Sequence, residues 1–184
     1  MNSAPNSATT FLADEAQTLA LGAVFAAALS PGLHLYLDGG LGAGKTTFVR
    51  GLLRALGHAG RVRSPTYALC EGYELQPPVA GIEFERIAKI YLYHFDFYRI
   101  NPGDDWLDAG FREAFEGDAV CLVEWPGNAG ASLPAPDLRI ALAYRDDDSA
   151  DGRTVSVHSL TAAGQRCLDH VLLDRSIPWS LPAA

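Results

Sequence analysis

Residues 33–56 read LHLYLDGGLGAGKTTFVRGLLRAL, and three kinds of chain follow one another within them. Leu33 to Leu37 is a short apolar run, as a strand buried on both faces of a sheet requires. Gly39 to Thr46 matches the pattern G-x-x-x-x-G-K-[ST] in full. Thr46 to Leu56 has helical spacing, and Gly57 supplies a C-terminal stop. Strand, glycine loop and helix in that order open an α/β unit. The context matters, because the bare pattern also arises by chance as a flexible glycine turn.

Each position of the loop has a chemical reason. Triphosphate oxygens need several backbone N–H donors at once, so the chain must curl with little side-chain bulk, which Gly39, Gly40, Gly42 and Gly44 allow. The following helix aims its N-terminal N–H groups and partial positive charge at the phosphates. Lys45 adds a full charge at the β- and γ-phosphates, and Thr46 offers a hydroxyl to Mg²⁺. The reading is a nucleoside triphosphate bound with Mg²⁺.

Outward from the loop, Asp14 to Leu29 repeats apolar residues near helical spacing, with Asp14 as N-cap and Ser30-Pro31-Gly32 as the stop. Ile90 to Phe95 and Ala119 to Val123 are buried-strand runs, and Trp106 to Phe115 between them has helical character. Leu138 to Tyr144 and Thr154 to Leu160 alternate with period 2 around the polar stretch Arg145 to Arg153, which is a hairpin signature. Ala162 to Leu173 makes a last helix. The expected fold is a single-domain α/β P-loop NTPase: a mainly parallel central sheet flanked by helices, with a C-terminal antiparallel hairpin. Residues 1–10 are expected as a disordered tail, 11–175 as the folded domain and 176–184 as a loose tail.

The chain has 184 residues, 48% of them hydrophobic and 20% charged, which suits one soluble domain. The apolar stretch Leu19 to Leu29 falls short of the roughly 20 residues a membrane-spanning helix needs. It also follows Asp14 and Glu15 rather than a basic leader, so no secretory signal is expected. Cys70, Cys121 and Cys167 form no C-x-x-C pair and fit reduced thiols in a cytoplasm. The net charge of −8 argues against an unaided grip on nucleic acid, because phosphate neutralisation supplies most of that affinity. If RNA is involved, a partner holds it.

A glycine loop alone binds phosphate without completing a metal site. Mg²⁺ between phosphates wants a carboxylate at the end of a neighbouring buried strand. Asp96 follows IYLYHF and Glu124 follows AVCLV, each where parallel strands deliver residues to the ligand edge of a sheet. One can hold Mg²⁺ while the other orients or deprotonates water; the plainer reading is a helix cap or a pair with an arginine such as Arg99. Ser64-Pro65-Thr66-Tyr67 reads either as a switch segment, with Thr66 sensing the γ-phosphate, or as an ordinary Ser-Pro turn. Trp125 reads as packing or as a lid. His34, His58, His94, His158 and His170 lack metal-ligand spacing and read as structural.

Four segments in order carry a closer resemblance: LGAGKTTFVRGLLRALG (41–57), VRSPTYALCEGY (62–73), YHFDFYRI (93–100) and CLVEWPGN (121–128). Together they resemble the bacterial tRNA threonylcarbamoyladenosine biosynthesis ATPase family TsaE, formerly YjeE. The resemblance implies a small cytoplasmic ATPase supporting threonylcarbamoylation of adenosine 37 in tRNAs that read codons beginning with adenine. It implies ATP and Mg²⁺ as cofactors and a TsaB–TsaD pair as partner, with tRNA reached only through those partners and no membrane. It further implies Thr46 and Glu124 as Mg²⁺ ligands and Asp96 as a catalytic or metal-shell acid. Gly42, Ala43, Gly44, Lys45, Thr46 and Thr47 form its phosphate cradle, and the stretch from Glu15 to Thr18 reaches the adenine. Two departures stand out. Gly40 replaces the usual aspartate of the loop, and Leu75 to Lys89 is longer than the usual connection.

Other classes use this loop. A small-molecule or nucleoside kinase needs an arginine-bearing lid, and the arginines here are scattered. A GTP-driven switch needs N-K-x-D, and no Asn in the chain is followed by Lys.

Overall fold

The computed structural model describes residues 6–75, 89–100, 106, 110–144 and 152–182. Its strands are β1 (Ser7–Leu12), β2 (His34–Asp38), β3 (Cys70–Leu75), β4 (Ile90–Asp96), β5 (Val120–Glu124), β6 (Leu138–Tyr144) and β7 (Arg153–Ser159). They form one sheet in the order β1-β7-β6-β2-β5-β4-β3. The four central strands β6, β2, β5 and β4 run parallel, while β3 at one rim and the β7–β1 pair at the other are antiparallel. The expected hairpin is β6–β7.

Alternation along the strands sorts two cores. Leu35, Leu37, Val120, Leu122 and Leu92 face α1 (Glu15–Ala28), α2 (Lys45–Ala55) and α3 (Ala162–Leu173) on one side. Tyr36, Phe95, Cys121 and Val123 face the other, against Phe97, Trp106 and Phe115. That second face is covered by 3-10 turns at Phe111–Phe115 and Pro126–Ser132. The helix expected over Trp106 to Phe115 is therefore a 3-10 turn in its last five residues, entered through a left-handed Gly110. Residues 101–105 and 107–109 of that region lie outside the described residues.

Both expected tails are corrected. Ser7–Leu12 is strand β1, with Ala8, Thr10 and Leu12 facing inward, not part of a disordered tail. The far end is held too: Thr9 and Ser180 exchange backbone hydrogen bonds of 2.8 and 2.7 Å, and Ile177 is buried. β3 also went unforeseen, since its CEGYEL sequence has the mixed polarity of a half-exposed edge strand. The polar stretch of the β6–β7 hairpin and the long connection after Leu75 fall at 145–151 and 76–88, outside the described residues. The three cysteines are free thiols, and burial pushes those of Cys70 and Cys167 up to about 12. Among the described residues no helix is long and apolar enough to cross a membrane.

Candidate nucleotide and metal site

The loop between β2 and α2 is shaped by what crowds it. Gly39 adopts φ 143°, and a Cβ there would lie 2.3 Å from the Leu142 carbonyl oxygen of β6. Gly44 adopts φ 107°, and a Cβ there would lie 2.5 Å from an Arg153 guanidinium nitrogen of β7. The hairpin thus forms the wall behind the loop, and only glycine fits against it. Gly44 is also the N-cap of α2, with no side chain to occupy the first N–H groups of the helix.

Lys45 is buried. Its Nζ donates to the carbonyls of Gly39 (2.7 Å) and Gly40 (2.8 Å) and lies 4.0 Å from the centroid of the Trp125 ring. Burial pulls its pKa below the ordinary lysine value, and the carboxylates of Glu124, Asp96 and Asp38 oppose that shift. An added polyanion at the loop would act in the same direction as those carboxylates and hold the ammonium charged.

Asp96 and Glu124 end adjacent parallel strands and are paired in register. Glu124 Oε1 accepts from Thr46 Oγ1 at 2.7 Å and lies 2.9 Å from His94 Nε2. Asp96 is pinned by different donors. Its Oδ2 accepts from the hydroxyls of Ser64 and Thr66, and its Oδ1 accepts from the Tyr98 N–H at 2.9 Å. The SPTY segment is therefore bonded to a site carboxylate, which a plain turn would not need. Neither carboxylate caps a helix or pairs with Arg99; that side chain instead stacks over Tyr67. A cavity of about 210 Å³ opens onto Gly44, Lys45, Thr46, Asp96, Glu124 and Trp125. Thr47 borders it as well.

These donors fit a hard divalent cation. Thr46, Glu124 and Asp96 offer only oxygen, the donor type such a cation takes.

Thr18 is placed differently from its expected role at the adenine. It is fully buried, its hydroxyl donates to the Asp14 carbonyl at 3.1 Å, and its methyl packs behind Gly44. It supports the loop from the rear. Two residues were undervalued by the sequence. Trp125 holds the left-handed conformation, φ 58° and ψ 45°, unusual for a bulky residue and costing on the order of 1–3 kcal/mol. That turn swings the chain off the sheet after Glu124 and lays the ring between Lys45 and Tyr98 (ring centroids 5.0 Å apart). His94 was read as structural, yet it touches the carboxylate that Thr46 touches. Its spacing of two from Asp96 puts both on one face of β4, a relation visible in the sequence.

Residues 12–155 match the profile of the family described as "Threonylcarbamoyl adenosine biosynthesis protein TsaE". The chain belongs to the TsaE family. The curated TsaE of Haemophilus influenzae is 38% identical over 146 residues, covering 77% of this chain and 85% of that protein. The TsaE of Bacillus subtilis is 36% identical over 150 residues, covering 82% of each. Among solved structures, the crystal structure of Bacillus subtilis YdiB superposes with a TM-score of 0.71 at 27% identity, over 94% of this chain and 98% of that one. At Gly40, the position where the resemblance leads us to expect aspartate, an added Cβ would meet nothing within 4 Å. The substitution therefore leaves the packing of the loop untouched.

Proposed function

We propose that the chain is an Mg²⁺-dependent ATPase that supports threonylcarbamoylation of adenosine 37 in tRNAs reading codons that begin with adenine. It acts in the cytoplasm with TsaB and TsaD. The observation that carries the ATPase reading is the contact of Thr46 with Glu124 at the mouth of the loop, beside Asp96 in register. The tRNA process comes from the family. The net charge of −8 supports a reading in which the partners hold the tRNA.

The loop N–H groups and the start of α2 bind the phosphates, and Lys45 exchanges its carbonyl partners for phosphate oxygens. Thr46 and Glu124 would hold Mg²⁺, which when bound would supply charge neutralisation at the phosphates. Asp96, oriented by three donors, accepts a proton or hydrogen bond from the attacking water. Trp125, backed by Tyr98, covers Lys45 and keeps bulk water from its ammonium.

Replacing Lys45 by Ala is expected to abolish measurable ATP binding; normal binding by that variant would falsify the loop assignment. Glu124→Gln keeps size and fold, and its Mg²⁺-dependent hydrolysis should fall by about a hundredfold, the scale of losing one transition-state electrostatic contact. Unchanged hydrolysis would move the metal role to Asp96. The process is tested by adding the protein and ATP to TsaB–TsaD with threonylcarbamoyl-adenylate and tRNA. Multiple turnovers only in its presence support the assignment, and no effect revives the kinase reading.

A further inference from the structure

On a chain of net charge −8, four arginines line one cavity of about 600 Å³. Arg50 and Arg54 come from the exposed side of α2; Arg61 and Arg63 flank the buried Val62 on the segment leading to Ser64. The one acidic residue in that lining, Glu15, is already paired with Arg50 at 3.1 Å. Arg54, Arg61 and Arg63 are exposed, and none has a carboxylate partner among the described residues.

The groove is not remote from the chemistry. Its floor includes Thr46, which bonds Glu124, and Ser64, which bonds Asp96. On the other side of the same segment, Arg61 and Arg63 border a second cavity of about 420 Å³ with Tyr67, which is 86% exposed. Among the described residues, 59–64 make no backbone–backbone hydrogen bond, so the buried Val62 and the Ser64 side chain anchor them. A ligand seated on the arginines would bear directly on the segment that orients Asp96.

We propose that this arginine groove docks an acidic segment of a protein partner and couples that docking to the Asp96 end of the site. The choice of partner follows from charge distribution. A polynucleotide running through the groove would continue over a surface that is acidic in sum, and be repelled there. A short carboxylate-bearing segment ends within the groove, and an exposed tyrosine beside arginines matches the residue types that anchor protein interfaces. This proposal rests on the TsaB–TsaD reading for the partner's name, but its test does not.

Two probes separate the cases: TsaB–TsaD itself, and a labelled decapeptide of glutamate set against an oligonucleotide of equal charge. The variant is Arg54→Glu/Arg61→Glu, with Arg54→Gln/Arg61→Gln in its place should the charge reversal fail to fold. Affinity for TsaB–TsaD and for the peptide is expected to drop at least about tenfold and to weaken with added salt. ATP affinity should stay at the wild-type value. Wild-type binding to TsaB–TsaD that the variant retains overturns the groove and leaves the ATPase reading intact. Failure of the wild type to bind TsaB–TsaD overturns the partner assignment, and the groove then stands if the peptide binds and the variant loses it. A peptide that does not bind in that case overturns it. Tighter, arginine-dependent binding of the oligonucleotide, or a loss of ATP affinity in the variant, also overturns it.

Discussion

Glu124 Oε1 accepts from two donors, and only one of them can leave. Thr46 must turn a lone pair toward Mg²⁺ when it serves as a ligand, whereas His94, fully buried, has no other place to go. A carboxylate acceptor requires the proton on Nε2, and Nδ1 is buried without a partner among the described residues. His94 therefore positions Glu124 from behind. His94→Phe should raise the Mg²⁺ concentration for half-maximal nucleotide binding by about 10- to 100-fold, as loss of a ligand's supporting bond does. Nucleotide binding without Mg²⁺ should stay unchanged, and His94→Gln should recover part of the effect through its amide donor. An unaltered Mg²⁺ titration in His94→Phe removes the residue from this role. The loop residues, Asp96 and Glu124 were legible because each belongs to a local pattern. His94 was only half legible: its spacing of two from Asp96 places both on one face of β4, but its contact with Glu124 comes from the register of β4 against β5.

Helix α1 shows the same division at the scale of an element. Its start was legible: Asp14 caps it by accepting from the Gln17 N–H at 2.8 Å, and Gln17 reaches back to the Ala13 N–H. What it packs against was not. Gly22 and Gly51 lie inside these two helices, where α1 and α2 cross backbone to backbone. A Cβ on Gly22 would sit 2.2 Å from the Phe48 carbonyl oxygen, and one on Gly51 2.2 Å from that of Leu19. Alanine at Gly22 gains up to about 1 kcal/mol in helix propensity. It also forces two backbones apart, and overpacking costs about 1–3 kcal/mol or more when no side chain can yield. The clash wins. Gly22→Ala should lower the melting temperature, and because α2 carries Lys45 and Thr46 on its first turn, it should weaken ATP binding in the folded protein as well. A rise in melting temperature would show that the helices separate freely.

Across the whole molecule, β2, β4 and β5 were readable because they are continuous apolar runs, which only burial on both faces explains. The outermost strands, β1 and β3, were not. β1 is written in Ser, Ala and Thr, the residues of a solvated tail, and its inward positions are visible only once β7 lies beside it. Its closure depends on the other end of the chain. Ser180 bridges to Thr9, the Pro178 carbonyl accepts from Thr10 Oγ1 at 3.0 Å, and Ile177 is only 5% exposed. Ending the chain at Arg175 removes all three contacts together. Losing the buried isoleucine and these hydrogen bonds together should lower the urea midpoint with little change in slope. A tail without a structural role would leave the midpoint where it was. In the truncated protein β1 should also exchange its outward amides faster, Thr9 first, because its N–H is the one that Ser180 protects.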